Sequence, residues 1–287
     1  QRQALDRQLS TQAFYAAESG VNDARNAKFV GYSDSCSPAV AIEPTVPETK
    51  STCVFVNLTP KTIKYDNVGA SPKVFPVHTV NASGTSVAPA TITVKWSKMN
   101  SNPAWTDFRA AGETGWPTQG SWQHNTGVGR LYLAPFKNNS SRDSLLASAS
   151  YFVLNPSVSG PSSQVLSAGQ GSGMGTIVNG ACADSSCTAT ITISGGPYDD
   201  FYLALSSLYQ DSHFEISAVD VVGTQLGFKD VQVLVDSTGK TTDVLRRIEV
   251  MVPLIDDKKY PSGALVGEVC KLWTASPAPN GTSTTCL

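Results

Sequence analysis

The first 28 residues contain no proline, and Leu5, Leu9, Ala13, Ala17, Gly20, Ala24 and Ala27 recur at steps of three and four, which places them on one face of an α-helix. Arg2, Asp6, Gln12, Asn22 and Arg25 occupy the opposite face. Beyond Leu9 the apolar stripe becomes small, through Ala13, Ala16, Ala17, Gly20, Ala24 and Ala27, so that a sheet or a second helix can approach the backbone closely. Phe14 and Val21 flank the stripe as larger anchors, and Gly31 is placed to end the helix shortly after Lys28. The C-terminal half is expected to pack on the protein's own core. The first turns lack a capping residue and read as the continuation of a longer helix.

After Tyr32 the period changes to two. Val54 and Val56 alternate around Phe55, and residues 91–96, 188–194, 201–205 and 214–218 alternate in the same way between clusters of Gly, Pro, Asn and Asp. The clearest hairpin joins a strand carrying Val231, Val233 and Val235, through a turn at Asp236-Ser237-Thr238-Gly239, to a return strand carrying Ile248, Val250 and Val252 that Pro253 stops. The region after the helix is therefore expected to be mainly antiparallel β. Residues 144–183 carry no charge and read as strand and loop. Within them Gly169-Gln170-Gly171-Ser172-Gly173-Met174-Gly175 lacks the Lys and the following helix of a phosphate-binding loop. No internal repeat is legible in the pattern.

Composition narrows the function classes. With 21 Lys and Arg against 23 Asp and Glu the net charge is -2, which excludes a basic surface for nucleic acid or an anionic membrane. Charged residues are only 15% of the chain, and Ser, Thr, Asn, Gly and Pro take their place, a composition that favours short strands and turns. At 40% hydrophobic the 287 residues can bury a sizeable core in one large domain or two small ones. No apolar run reaches the length of a spanning helix, and Gln1-Arg2-Gln3 does not begin a signal peptide.

The cysteines fall into three couples that are local in sequence: Cys36 with Cys53, Cys182 with Cys187, and Cys270 with Cys286. Six cysteines permit 15 connectivities. The local one is expected, because no histidine lies close enough to two cysteines to complete a zinc site and an even count in a charge-poor, hydroxyl-rich chain suits an oxidising compartment. Free thiols are the alternative. Export from the cell follows from the disulfide reading.

Catalytic patterns are sparse. Ser172 lacks nucleophile-elbow spacing, and His78, His124 and His213 are isolated in sequence. Asp199-Asp200 and Asp256-Asp257 fit turn chemistry better than metal binding. Trp105, Trp116 and Trp122 share one turn-rich stretch with Phe108 and His124, either as an aromatic binding surface for sugar or protein or as the core of a small subdomain. Sequons begin at Asn57, Asn81, Asn138, Asn139 and Asn280. No enzyme activity, cofactor or metal is expected.

The segment from Arg7-Gln8 through Gln12-Ala13-Phe14-Tyr15-Ala16-Ala17-Glu18-Ser19-Gly20 to Asp23-Ala24 resembles the signature that follows the membrane segment in PilX-type minor pilins of bacterial type IV pili. Asp236-Ser237-Thr238-Gly239-Lys240 and Asp243-Val244-Leu245-Arg246-Arg247-Ile248-Glu249-Val250 resemble the C-terminal hairpin of pilin-like proteins from Saccharibacteria-like candidate-phyla bacteria. The resemblance implies an α+β fold in which a long N-terminal amphipathic helix packs on a mainly antiparallel β-rich head with an inserted β subdomain. Residues 1–31 would be the second half of that helix, 32–195 the head with its insertions, and 196–287 a C-terminal sheet ending in a tail closed by Cys270 and Cys286.

The function implied is a structural or tip subunit of an extracellular pilus. It would serve filament assembly and adhesion, with other pilin subunits and a host-cell or surface receptor as partners, membrane attachment through a segment preceding Gln1, and no specific nucleic acid. Glu18 lies in the head-packing half and is not the acidic residue of the family's membrane segment. Two alternatives stand beside this: a pseudopilin of a type II secretion system, and a secreted β-sandwich carbohydrate-binding module.

Overall fold

The computed structural model describes residues 2–36, 40–41, 49–98, 129–137, 148–150, 152–154, 175–183, 186–193 and 200–254. Its elements are α1 (Arg2–Asn26), β1 (Val40–Ala41), β2 (Thr49–Asn57), β3 (Thr62–Val68), β4 (Lys73–Val80), β5 (Thr91–Lys98), β6 (Arg130–Lys137), β7 (Phe152–Leu154), β8 (Gly175–Ala183), β9 (Ser186–Ile193), β10 (Asp200–Leu208), β11 (Ser212–Val219), β12 (Gly227–Phe228), β13 (Gln232–Thr241) and β14 (Val244–Pro253). The strands form three sheets, ordered β1-β2-β13-β14, β12-β4-β10-β6-β7 and β3-β11-β5-β9-β8, and every pairing is antiparallel. The expected α+β pilin-like class is thereby corrected. The described chain is mostly β with one helix of 25 residues, and that helix covers one face of one sheet.

The chain divides into two compact units. The first combines Gln1–Pro60 with Lys229–Leu254 and holds α1 and the four-stranded sheet. Helix α1 lies over β13, with β2 and β14 on either side. Its buried residues are Ala13, Ala16, Ala17, Gly20, Val21 and Ala24, and the sheet meets them in two zones. Toward the end of the helix, Val21 and Ala24 pack into a cluster with Val54, Val56, Val233, Val235 and Val252. Further back the sheet side chains shrink to Ser51, Ser237 and Gly239, and a Cβ added at Gly239 would fall on the Ala13 carbonyl oxygen and the Ala17 amide nitrogen. The helix backbone touches the strand backbone there, a contact that requires glycine.

Several expectations for this unit change. Leu5 is 55% exposed and Leu9 half-buried, because the packed zone begins at Ala13. Phe14 is exposed as well, edge-on to Tyr15, so of the two expected anchors only Val21 is buried. The helix ends at Asn26, and the left-handed residue that caps it is Lys28 (φ 51), ahead of Phe29 (φ 64) and Gly31 (φ 83), which follow with positive φ of their own. Lys28 donates to the Arg25 carbonyl at 2.9 Å and Phe29 to the Ala24 carbonyl at 2.8 Å, the paired bonds of a Schellman cap, while Phe29 packs on the valine cluster. The hairpin expected from the valines forms, with Val233 opposite Val252 and Val235 opposite Val250. Its turn is Thr242-Asp243, however, and Asp236-Ser237-Thr238-Gly239 lies within β13. The small residues that read as turn formers are there because they face the helix or a neighbouring strand.

Cys36 and Cys53 form a disulfide that ties the segment after the helix to β2. The same segment is held by the Val56 amide donating to the Ser33 carbonyl at 2.8 Å. The cross-link spans 17 residues, and its loss should lower stability by about 3 kcal/mol through the greater freedom of the unfolded chain. Urea denaturation of a Cys36→Ser, Cys53→Ser double variant measures this; a midpoint unchanged from wild type would mean that the bridge contributes nothing to this unit.

The second unit, Lys61–Phe228 with Ile255–Leu287, contains the two five-stranded sheets. Period-two alternation builds its core in register rows: Phe214, Trp96 and Cys187 stand side by side, then Ile216, Val94 and Ala189, then Ala218, Ile92 and Ile191, all buried. Lys95, Thr93, Thr188 and Thr190 alternate with them on the other face. On the second sheet Phe75, Val77, Leu131, Leu133, Phe201, Leu203 and Leu205 are buried. The sheets meet where Tyr65 of β3 lies 5.2 Å from Phe75 of β4, and where the Trp96 Nε1–H donates to the Gly129 carbonyl at 2.9 Å. A separate cluster of Val74, Ala134, Phe136, Ala149 and Ala204 buries this sheet's other face, with Phe136 stacked on Tyr202.

An internal repeat, not legible in the hydrophobic pattern, links the two sheets. β4 runs into Val80-Asn81-Ala82-Ser83-Gly84-Thr85 and β11 into Val219-Asp220-Val221-Val222-Gly223-Thr224, and the two turns are built alike. In each the first polar residue's Oδ1 accepts two amides: Ser83 and Thr85 donate to Asn81, and Val222 and Thr224 to Asp220. In each a glycine adopts φ near 80°, 79° at Gly84 and 84° at Gly223. The chain then returns antiparallel, with Val80 bridged to Ser86 and Val219 to Gln225. β4 crosses by its turn to β5 in the opposite sheet, and β11 crosses the other way to β12.

Candidate interaction surfaces

The sequence-selected residues that fall within the described structure do not converge on one site. Trp105, Trp116, Trp122, Phe108, His124, Ser172, Cys270 and Cys286 lie outside the described residues. Cys187 is buried and disulfide-bonded, and the position opposite it on β8 is Cys182. Asp200 opens β10 rather than sitting in a turn, and the sequon residues Asn57 and Asn81 cap local turns through their Oδ1 atoms.

His213, isolated in sequence, is not isolated in the fold. It lies on β11 beside the register shift at Ser212 and Phe214, with β3 on one side and β5 on the other. Its Nδ1 is hydrogen-bonded to Asp66 Oδ1, and its Nε2 stands 3.6 Å from Glu215 Oε1. Lys95 reaches Glu215 Oε2 at 3.5 Å from the next strand. Both ring nitrogens thus face carboxylates, and among the described residues neither is directed at a hydroxyl from which it could take a proton. The group is a chain of polar contacts across three strands. Among the described residues no set of three or more His, Cys, Asp or Glu is placed to hold a metal ion.

The exposed apolar residues are spread over separate elements. Val221 and Val222 protrude from the β11 turn at 87% and 81% exposure, where the twin turn carries Ala82 and Ser83. On the first unit, Leu5, Phe14 and Tyr15 are exposed along α1, and Leu245 on β14. β14 also carries an ion pair: the Arg247 Nε donates to both Asp236 carboxylate oxygens, at 2.7 and 2.9 Å, and its Nη2 to Oδ2. Those hydrogen bonds, and then the charge of Asp236, raise the Arg247 pKa above its already high ordinary value. Arg246 points to the helix side, where its Nε donates to Ser10 Oγ at 2.8 Å. Sequence reasoning missed both the edge position of β14 and the twin turns. The recurrence of Val-[Asn/Asp]-x-x-Gly-Thr was the available signal for the turns.

The chain matches no family model, and no curated protein and no solved structure similar to it was found.

Proposed function

We propose that the chain is a structural or tip subunit of an extracellular type IV pilus, contributing to filament assembly and to attachment to a surface or host cell. The observation that carries this reading is the division of α1, which also bears the residues of the pilin-like motif. From Ala13 to Ala24 the helix buries one face on its own sheet, whereas residues 3–8 are exposed and present Leu5 to solvent. A helix that gives only its second half to its own unit leaves the first half for a partner, and in this reading the partners are neighbouring pilin subunits. The disulfide between Cys36 and Cys53 fits an exported protein. No helix among the described residues is long and apolar enough to cross a membrane. Trp105, Trp116 and Trp122 remain the proposed contacts to a receptor.

The test is a Leu5→Glu substitution in the native filament-forming cell. Because Leu5 is exposed, the variant should melt within about 1 °C of wild type, yet the subunit should be lost from sheared filaments and from immunogold-labelled pili. Equal incorporation of both forms, or recovery of the wild-type protein only as a free secreted monomer, would refute the assignment.

A further inference from the structure

We propose that the outer edge of β14 is a self-association surface that pairs antiparallel with β14 of a second copy, joining two four-stranded sheets across a two-fold axis at Ile248. β14 is ten residues long and ends its sheet, with only β13 beside it among the described residues. A two-residue turn makes the closing pair, Thr241 and Val244, a hydrogen-bonded one, and the antiparallel ladder alternates from there. Val244, Arg246, Ile248, Val250 and Val252 therefore direct their backbone groups to β13. Leu245, Arg247, Glu249 and Met251 direct theirs outward, and Pro253, which has no N–H, closes the edge.

The side chains select the partner and the register. In a two-fold pair of such edges, residues facing each other must belong to the same sheet face, so the axis passes through a residue. An axis at Arg247 would oppose two arginines, and one at Glu249 would oppose two glutamates. An axis at Ile248 places Arg247 opposite the second copy's Glu249 twice over, Leu245 opposite Met251 twice and Val244 opposite Val252 twice. In this register all four residues with outward backbone groups fall into hydrogen-bonded pairs. Charges on an edge strand normally prevent pairing; here the two signs are symmetric about one residue, so they admit one partner and register while opposing others.

The rest of the unit tolerates the arrangement. The Arg247 side chain is 67% exposed, and its fork to Asp236 lies within its own chain. Because α1 lies over β13, the two helices would be about 14 Å apart, three strand spacings, on the same face of the joined sheet. That exceeds the 8–10 Å of packed helices, so they would not collide. The pair is closed by its two-fold axis and does not itself propagate; it is a contact additional to any filament interface and does not depend on the pilus assignment.

Sedimentation equilibrium of the full chain tests the proposal. Wild type should dimerise. Glu249→Arg, at an exposed position that leaves the Arg247 to Asp236 fork in place, should weaken the dimer about ten- to a hundredfold by setting arginines against each other. Arg247→Glu should do the same, and the Arg247→Glu, Glu249→Arg swap should recover the dimer. Melting curves of each variant show that it is folded. Independently, Ile248→Cys should give a disulfide-linked dimer on oxidation, since residues on such an axis lie about 4.5 Å apart at Cα. A wild-type monomer at every concentration, a dimer indifferent to Glu249→Arg, a swapped variant that stays monomeric, or a failure of Ile248→Cys to cross-link would each overturn it.

Discussion

Replacing Gly239 with valine is expected to dislodge α1 from its sheet. A Cβ at this position would overlap the Ala13 carbonyl oxygen and the Ala17 amide nitrogen, and it would come within 2.7 Å of the Ala16 Cβ. Helix backbone cannot rotate aside as a side chain can, so the whole helix must shift or lift. The cost should reach about 3 kcal/mol, the upper part of the range for overpacked cores. Gly20→Ala, facing this seam from the helix, is a graded control. Its added Cβ meets Val54 Cγ2 and the Oγ atoms of Ser51 and Ser237, which can move in part, so a cost of about 1 to 2 kcal/mol is expected. Hydrogen exchange followed by mass spectrometry should show protection lost in α1, β2 and β13 for Gly239→Val. Retained protection in α1 would mean that the seam is looser than the geometry describes.

The second large effect is expected at Trp96. The side chain is fully buried in the middle of its register row, between Phe214 and Cys187, and its indole N–H satisfies the Gly129 carbonyl. Truncation to Ala should cost about 3 to 5 kcal/mol from lost contacts and the remaining cavity. Trp96→Phe keeps most of the volume but leaves the Gly129 carbonyl without its donor, which should cost roughly 1 to 3 kcal/mol. Chemical denaturation of the two variants separates packing from hydrogen bonding. Equal costs for both would place nearly all of the effect in the lost hydrogen bond.

Both positions show what kind of information local sequence carries. The helix over α1 was legible because its small and apolar residues repeat at three- and four-residue steps, and the strands around Trp96 were legible because they alternate. Gly239 was misread. In a linear pattern Asp236-Ser237-Thr238-Gly239 has the composition of a turn, and only the helix lying across β13 explains why those positions are small. Ser51 and Ser237 belong to the same seam: both Oγ atoms are buried without a hydrogen-bond partner among the described residues, so it is their volume, not their polarity, that suits the contact. His213 follows the same rule for one of its two carboxylates, since Asp66 reaches it from β3 beside a register shift, whereas Glu215 stands two residues along the same strand.

Periodicity, composition and cysteine spacing were enough to determine an N-terminal amphipathic helix, a mainly antiparallel β chain and the strands of the β13–β14 hairpin, and to favour the Cys36–Cys53 pairing that the structure shows, because each depends on neighbours within a few tens of residues. The fold class, the burial boundary on α1 at Ala13, the twin turns that cross between sheets, and the edge position of β14 among the described strands were decided by tertiary structure. Each of these depends on which distant strand lies alongside. Pairing β2 with β13 joins segments far apart in the chain, and that pairing determines which face of each strand meets the helix and leaves β14 at the border of the sheet.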